Sequence, residues 1–383
     1  MHIRIFSFRH VALKFMRILL IKTSSLGDII HSFPAVSDAL RENPDISVDW
    51  VVEESFAELF KLYQHPVHVV TIALRRWRKH WYRRLTWQQI RQFRKTIGTR
   101  HYDMVIDAQG LLKSACLTLG TGLYRSGMDR HSCREPWAAC FYHKTFPVNK
   151  NQHAVLRVRE LMAKALHYKL SQDQPDYGIR PLPAQSYTDT DAEPLSVQPA
   201  VQPVQSIQSA SVVTPTRPKP YVFLLHGTTW PEKLWPVRYW QKLAERITAQ
   251  GMQVQLTWGS VKEHGDAQII AKDNPDIHIV NKSSLIQLAS MIHQAKAIVA
   301  VDTGLAHLAA AMNKPCISLY LATSPLLTGC YGSHQVHLAI RGQETPYIKK
   351  QLSQHINTPV SPVYLDQEPD DQLVYQYLQP YLA

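Results

Sequence analysis

The stretch that most limits what this chain can fold into is Ala297-Ile-Val-Ala-Val-Asp302-Thr303-Gly304-Leu-Ala-His307-Leu-Ala-Ala-Ala-Met312. A β-branched apolar run stops at Asp-Thr-Gly and gives way to an Ala- and Leu-rich helical pattern, which reads as a buried strand, a tight turn and a helix start. The unpaired N–H groups and positive dipole end of such a helix face whatever lies beyond the strand's carboxyl end, and Gly304 lets a ligand approach the backbone there. Thr303 and Gly304 are therefore candidate phosphate ligands. The same pattern also serves as a simple capped βα turn, so the rest of the chain has to discriminate.

Strand and helix patterns alternate through the chain. Apolar runs at 17–22, 48–52, 67–72 and 102–107 are separated by helical patterns, the later ones at 56–62, 88–97, 111–119 and 153–166. That alternation specifies a parallel sheet covered on both faces. A second series starts at 221 and continues through strands at 254–258, 277–280 and 297–301, with 316–320 closing the parallel set and an amphipathic helix at 373–382. At 383 residues the chain exceeds what one core usually supports. The expected division is an extension over 1–15, because Met16 directly precedes a clean strand, then a domain over 16–180. A low-complexity linker rich in Pro, Gln, Ser and Thr follows over 181–219, then a second domain over 220–365 and a terminal helix over 366–383. Deleting the first fifteen residues is expected to leave activity intact.

The net charge of +12 and pI near 9.4 call for an anionic partner: nucleic acid, a lipid surface or a phosphorylated substrate. The charge is densest in Arg75-Arg76-Trp77-Arg78-Lys79-His80-Trp81-Tyr82-Arg83-Arg84. Tryptophans interleaved with arginine are wasteful on a surface without a partner. They suit nucleic acid, and they suit a phosphorylated, sugar-bearing lipid equally. The five cysteines have no C-x-x-C or Cys/His metal spacing, which points to a reducing compartment and no metal site. No apolar run reaches the roughly 18 residues of a membrane span, so membrane association would be peripheral.

Single residues stand out at strand ends. Asp28, in the turn and helix start after 17–22, either caps its helix or stands in the crevice where doubly wound folds bind ligands. Thr228, Thr229 and Lys233 offer hydroxyls and a point charge to a phosphate. Glu263 either holds ribose hydroxyls or starts a helix. Arg134 lies in a charged loop that sequence alone assigns neither to a cleft nor to the surface.

Two doubly wound domains facing a central cleft form the GT-B architecture of glycosyltransferases. The motifs Lys22-Thr-Ser-Ser-Leu-Gly-Asp28, Leu74-Arg-Arg-Trp-Arg-Lys79, Val105-Ile-Asp-Ala-Gln-Gly110, Arg134-Glu-Pro136, Thr228-Thr229 with Lys233-x-Trp-Pro, and Val301-Asp-Thr-Gly-Leu-Ala-His307 occur in the order seen in the ADP-heptose:lipopolysaccharide heptosyltransferases, glycosyltransferase family 9, and the chain resembles that family from about 16 to 340. The resemblance implies transfer of L-glycero-D-manno-heptose from ADP-heptose to the inner Kdo of Kdo2-lipid A, with inversion and without metal or cofactor, at the cytoplasmic face of the inner membrane beside its anionic surface. It implies Asp28 as general base. Thr228, Thr229, Lys233, Glu263, Asp302, Thr303, Gly304 and His307 would serve the donor, and Arg75, Arg76, Arg78, Lys79 and Arg134 the acceptor. The alternatives are a family member acting on a later core sugar and, remotely, a nucleic-acid-binding protein; no nucleic acid is expected on the first reading.

Overall fold

The computed structural model describes residues 15–119, 121, 124–180, 219–342 and 356–382. All of the expected N-terminal extension except Phe15, and all of the 181–219 linker except Lys219, lie outside the described residues. The first half builds one parallel sheet from β1 (Met16–Ile21), β2 (Ile46–Glu53), β3 (Val67–Ile72), β4 (Met104–Asp107), β5 (Tyr124–Met128) and β6 (Lys144–Phe146), ordered β3-β2-β1-β4-β5-β6. The second half builds another from β7 (Tyr221–Leu225), β8 (Gln253–Leu256), β9 (Ile277–Ile279), β10 (Ala297–Val301), β11 (Cys316–Tyr320), β12 (Gln335–Ile340) and β13 (Val363–Leu365), ordered β13-β12-β11-β10-β7-β8-β9. Each sheet grows outward in both directions from a central pair, β1/β4 in one and β7/β10 in the other. Those pairs are the topological switch points, where the crevice beyond the strand ends opens for a ligand.

Burial explains why the runs become interior strands. Leu19 and Leu20 point to opposite faces of β1 and both are buried, as are all five residues of β10, which requires cover on both sides. In the first domain the cover comes from α1 (Leu26–Ile30), α2 (Phe33–Glu42), α3 (Leu74–Lys79), α4 (Arg84–Gly98), α5 (Leu112–Leu117) and α6 (Ala154–Leu166). In the second it comes from α7 (Val237–Thr248), α8 (Val261–Ala271), α9 (Leu285–Gln294), α10 (Gly304–Ala311), α11 (Pro325–Thr328) and α12 (Asp371–Leu378). One apolar cluster runs unbroken from Ile18, Phe33 and Trp50 in the first domain into Phe223, Ile298 and Leu308 in the second. The domains thus share core, with α1 against α10 and α9 against the 3-10 helix Glu54–Leu62.

Four expectations are corrected. The 316–320 strand does not close the second sheet, because β12 and β13 extend it; His337 and Gln335 break the apolar run that would have marked β12. β5 and β6 are also strands, though Tyr-Arg-Ser-Gly-Met and Lys-Thr-Phe carry little apolar signal. The short helix expected over 56–62 begins two residues earlier, at Glu54, and is a 3-10 helix. The terminal helix begins at Asp371, where Asp370 accepts the Leu373 N–H at 2.8 Å, and it packs on α7 of the second domain.

Candidate active site

Both halves of the site grow from the switch points. Beyond β1, Lys22 turns back so that its Nζ donates to the Ala108 carbonyl at 3.2 Å, leaving it 3.6 Å from Asp28 Oδ1. Gln109 straps the following turn: its Oε1 accepts the Thr23 N–H at 3.0 Å and its Nε2 donates to the Ser24 carbonyl at 2.7 Å. Gln109 is itself set by the buried Asp107, which accepts from the Gln109 and Gly110 N–H groups and from the Ser114 and Tyr142 hydroxyls. Gly110, at φ +67°, adopts the left-handed turn that a side chain would strain.

Asp28 does both things the sequence left open. Its Oδ2 accepts the N–H and the hydroxyl of Ser25, each at 3.0 Å, closing the helix start of α1. Oδ1 faces Lys22, and the side chain remains 36% exposed. Burial raises its pKa, but Lys22, the two Ser25 hydrogen bonds and Arg134 outweigh that and hold the carboxyl below its ordinary value.

In the second domain Asp302, at the end of β10, gathers its neighbours. Its Oδ2 accepts from Lys233 Nζ and from the Thr323 hydroxyl, both at 2.7 Å, and its carbonyl accepts from Thr228 Oγ1 at 3.4 Å. Lys233 also lies 4.8 Å above the Trp230 ring. Glu263 forms the helix start of α8: its Oε2 accepts the Gly259 and Ser260 N–H groups at 2.6 and 3.2 Å. It packs so closely on Gly227 that a Cβ there would fall 2.6 Å from its Cδ. Asp302, Thr228 and Glu263 therefore follow one another along the carboxyl edge of β10, β7 and β8.

The halves meet where α1 crosses α10. A Cβ on Gly27 would fall 2.5 Å from His307 Cδ2, and one on Gly304 would fall 2.8 Å from Leu26 Cβ. This corrects the sequence reading of Gly304: the close approach it permits is taken by Leu26 of the facing domain and is not left to a ligand. His31 Nε2 and His307 Nδ1 share a hydrogen bond at 3.2 Å across the junction, with His153 edge-on to His31. Burial, aided by His307, His153 and Lys22, pushes His31 well below its ordinary pKa. Burial also lowers His307, but Cys330, Asp302 and Asp28 overcome this and its pKa ends raised.

A cavity of about 400 Å³ lies at this junction, lined by Lys22, Asp28, Arg134, Lys233, Asp302 and His307 among others. Thr228 sits just behind its wall through Asp302. Thr229, Glu263, Thr303 and Gly304 do not line it, and neither do Arg75, Arg76, Arg78 and Lys79. The four basic residues belong to α3, two strands away from β1 at the same sheet edge. Glu54 holds the Arg76 guanidinium at 3.0 Å, and Glu53 accepts the Arg75 N–H at 3.2 Å.

The cavity contains groups that sequence reasoning passed over. Lys22 read as a strand end, although the position just after the first strand of a doubly wound domain is itself a ligand-facing signal. Thr323 and Ser324 occupy the corresponding place after β11, and among the described residues the buried Ser324 hydroxyl has no hydrogen-bond partner. Lys150 and Arg157 come from the loop before α6 and from α6 itself, and no local pattern marks them. Five cations thus surround two carboxylates, Asp28 and Asp302, which suits a polyanionic ligand. Among the described residues no group of three or more His, Cys, Asp or Glu side chains is placed to hold a metal ion.

Comparison with known proteins agrees with this geometry. The family model described as glycosyltransferase family 9 (heptosyltransferase) matches residues 90–356. Lipopolysaccharide heptosyltransferase 1 of Pseudomonas aeruginosa is 43% identical over 337 residues, 88% of this chain and 87% of that one. The structure of E. coli heptosyltransferase WaaC with ADP superposes with a TM-score of 0.73 at 37% identity, covering 88% of this chain and 99% of that one. The structure of E. coli ADP-heptose LPS heptosyltransferase II has a TM-score of 0.66 at 21% identity over 96% and 98% of the two chains, a likeness of fold alone. With two switch points facing one cationic cleft and these relatives spanning most of its length, the chain belongs to glycosyltransferase family 9, the heptosyltransferases.

Proposed function

We propose that this heptosyltransferase moves L-glycero-D-manno-heptose from ADP-heptose to the inner Kdo of Kdo2-lipid A, inverting the anomeric carbon. The observation that carries the reading is the placement of an ionised, half-exposed Asp28 in the same cavity as the Lys233–Asp302 pair. Asp28 accepts the proton of the acceptor hydroxyl while that oxygen attacks the heptose carbon from the face opposite the leaving phosphate. The bond from carbon to the β-phosphate oxygen breaks, and its electron pair leaves with ADP. Lys233 and the Thr228 hydroxyl stabilise that negative charge without a resident metal ion. Glu263, one strand further along after β8, takes the ribose through Oε1 while Oε2 stays with the start of α8. Asp302 and His307 face the heptose or the diphosphate. A related structure is that of WaaC with ADP-2-deoxy-2-fluoro heptose, which supports this donor.

On the acceptor side, Arg134 stands at the cavity and Arg75, Arg76, Arg78 and Lys79 about 10 Å away, two strand spacings from β1. They hold phosphates and Kdo carboxylates at the cytoplasmic face of the inner membrane. No helix among the described residues is long and apolar enough to cross a membrane.

The test is incubation with ADP-heptose and either Kdo2-lipid A or an acceptor already bearing heptose. A single heptose mass increment on Kdo2-lipid A, matched by ADP release, is expected. Transfer confined to the heptosylated acceptor would move the activity to a later core sugar. Asp28→Ala should lower turnover by roughly 10²–10⁴-fold with ADP affinity nearly unchanged; near-normal turnover in that variant would remove Asp28 from the mechanism.

A further inference from the structure

The segment from α3 into α4 exposes side chains that soluble surfaces usually bury. Trp81, Tyr82, Leu85 and Trp87 are all more than half exposed. Their exposure does not come from a slack loop. Thr86 Oγ1 donates to the His80 carbonyl at 2.7 Å, the Arg83 N–H returns to the same carbonyl at 3.0 Å, and the buried Trp77 donates to Gln89 at 2.8 Å. The scaffold therefore holds the four apolar groups outward. Arg78, Lys79, Arg83 and Arg84 are exposed among them, and no Asp or Glu occurs between Glu58 and Asp103.

A second apolar pair stands on the other side of β1 in the same domain. Leu112 opens α5 after β4, and Trp137, 69% exposed, follows β5, with Lys113 and Arg130 exposed nearby. Because β3, β4 and β5 are parallel, the segments after all three lie at the carboxyl edge of the first sheet, flanking the end of β1 where Asp28 stands. Indole and phenol rings with Lys and Arg around them match the headgroup zone of a bilayer, and on the α3–α4 side the absence of acidic residues between Glu58 and Asp103 matches an anionic one; on the other side the exposed Glu135 is engaged at the start of α5, accepting the Leu112 N–H at 2.6 Å.

We propose that the carboxyl edge of the first domain is a membrane-docking face: Trp81, Tyr82, Leu85 and Trp87 enter the headgroup region of an anionic bilayer on one side of the β1 end, Leu112 and Trp137 enter it on the other, and Arg83 and Arg84 pair with lipid phosphates. The inference rests on the lipid-linked acceptor proposed above. It adds an orientation, in which the cleft opens toward the bilayer and the acceptor's sugars reach Asp28 without leaving the membrane.

The experiment is sedimentation of the full chain with vesicles of phosphatidylethanolamine and phosphatidylglycerol or of phosphatidylcholine alone, run beside turnover on deacylated acceptor. Strong partition to the anionic vesicles is expected. Each Lys or Arg near such a surface is worth roughly fivefold in partition, so Arg83→Glu with Arg84→Glu should lower it by at least about 25-fold. Trp81→Ser with Trp87→Ser should lower it several-fold, and brominated lipid should quench less tryptophan emission in that variant than in the parent. Turnover on deacylated acceptor should be the same in every form, showing that each is folded. Unchanged sedimentation of the Trp pair variant, or equal binding to both vesicle types, would overturn the docking face. If no form turns over either acceptor, it is the proposed reaction that fails, and partition still decides the membrane question.

Discussion

Gly27→Ala adds one methyl group at the point where the two domains touch. Its Cβ would stand 2.5 Å from His307 Cδ2, against an ordinary carbon contact of about 3.5–4 Å. One side must therefore shift by roughly 1 Å. His307 cannot turn aside, because it is buried and held by His31 at 3.2 Å, with Cys330 Sγ 3.7 Å from the same nitrogen. Gly27 is fixed by its own helix, its carbonyl accepting the His31 N–H at 2.8 Å. Overpacking of this kind costs about 1–3 kcal/mol, and at roughly 2–4 °C per kcal/mol the Tm should fall by several degrees. If α1 yields instead, Asp28 moves with it, and a misplacement of about 1 Å costs on the order of 10²-fold in rate. His307 Nε2 lies 3.9 Å from Asp302 Oδ1, so if His307 is the side displaced, ADP affinity by calorimetry should fall as well, whereas movement of α1 alone should lower turnover more than ADP affinity. His307→Ala in the same chain returns the space, and the double-mutant cycle should show a favourable coupling of about 1 kcal/mol or more in urea unfolding. A Gly27→Ala protein with parental Tm and turnover, or a cycle that adds without coupling, would refute this account of the junction.

Three further outcomes are expected. Lys233→Met leaves the buried Asp302 with the Thr323 hydroxyl as its remaining close donor; breaking a buried pair costs up to about 3–5 kcal/mol, so stability in urea, ADP affinity and turnover should all fall, and an unchanged ADP affinity would place the diphosphate elsewhere. Burial pushes His153 down to about 3 and His337 to about 4, with His31 also well below its ordinary value. The unfolded chain then binds more protons below pH 6.5, and His153 and His337 each withdraw about 2 kcal/mol between that pH and 5, with His31 acting in the same direction and the raised His307 offsetting part of the loss; urea unfolding at pH 7, 6 and 5 should show the steep loss, and a flat profile would contradict it. Asp107→Ala leaves the Tyr142 hydroxyl and the Gln109 and Gly110 N–H groups without their acceptor, while Ser114 keeps the Leu111 carbonyl, so it should destabilise by about 1–3 kcal/mol for each group left unpaired and lower turnover through the Gln109 strap, with both read in one preparation.

The strands that position the site were legible because a strand buried on both faces must be apolar where it is buried, and 18–21, 221–225 and 297–301 are apolar from end to end. Strands far from the central pair escape part of that constraint: β6 and β13 are edge strands, and their neighbours β5 and β12 are interrupted by Arg125, Ser126 and Gly127 and by Gln335 and His337, so none of the four left a comparable signal. The same contrast divides the site. Asp28, Lys233 and Asp302 sit in the segments that follow central strands, where chain order places them beyond the strand ends, and the cavity holds all three. Lys150, Arg157 and His31 reach it through helix packing, a property of the assembled domains that no local spacing encodes. Glu263 shows a third case. The sequence offered a helix start and a ribose ligand as rivals, but Oε2 alone serves the helix, and the two descriptions stop being exclusive.

The junction itself explains why Asp28 and the Lys233–Asp302 pair can line one cavity although they are far apart in sequence. Asp28 and Asp302 each keep a lysine close, Lys22 at 3.6 Å and Lys233 at 2.7 Å, and each pair is fixed within its own domain. What relates one pair to the other is the crossing of α1 on α10, made by two glycines that each receive a side chain from the opposite helix. Because a continuous apolar core backs that crossing, it forms the closed side of the cleft. Substrates must enter from the open side, where Arg134, Lys150 and Arg157 line the first domain and Trp230, Lys233 and Thr323 the second. The polarity of the cleft therefore follows from packing: apolar contact fixes the distance between the two aspartates at the back, and cations at the front receive the charged substrates that the distance is set for.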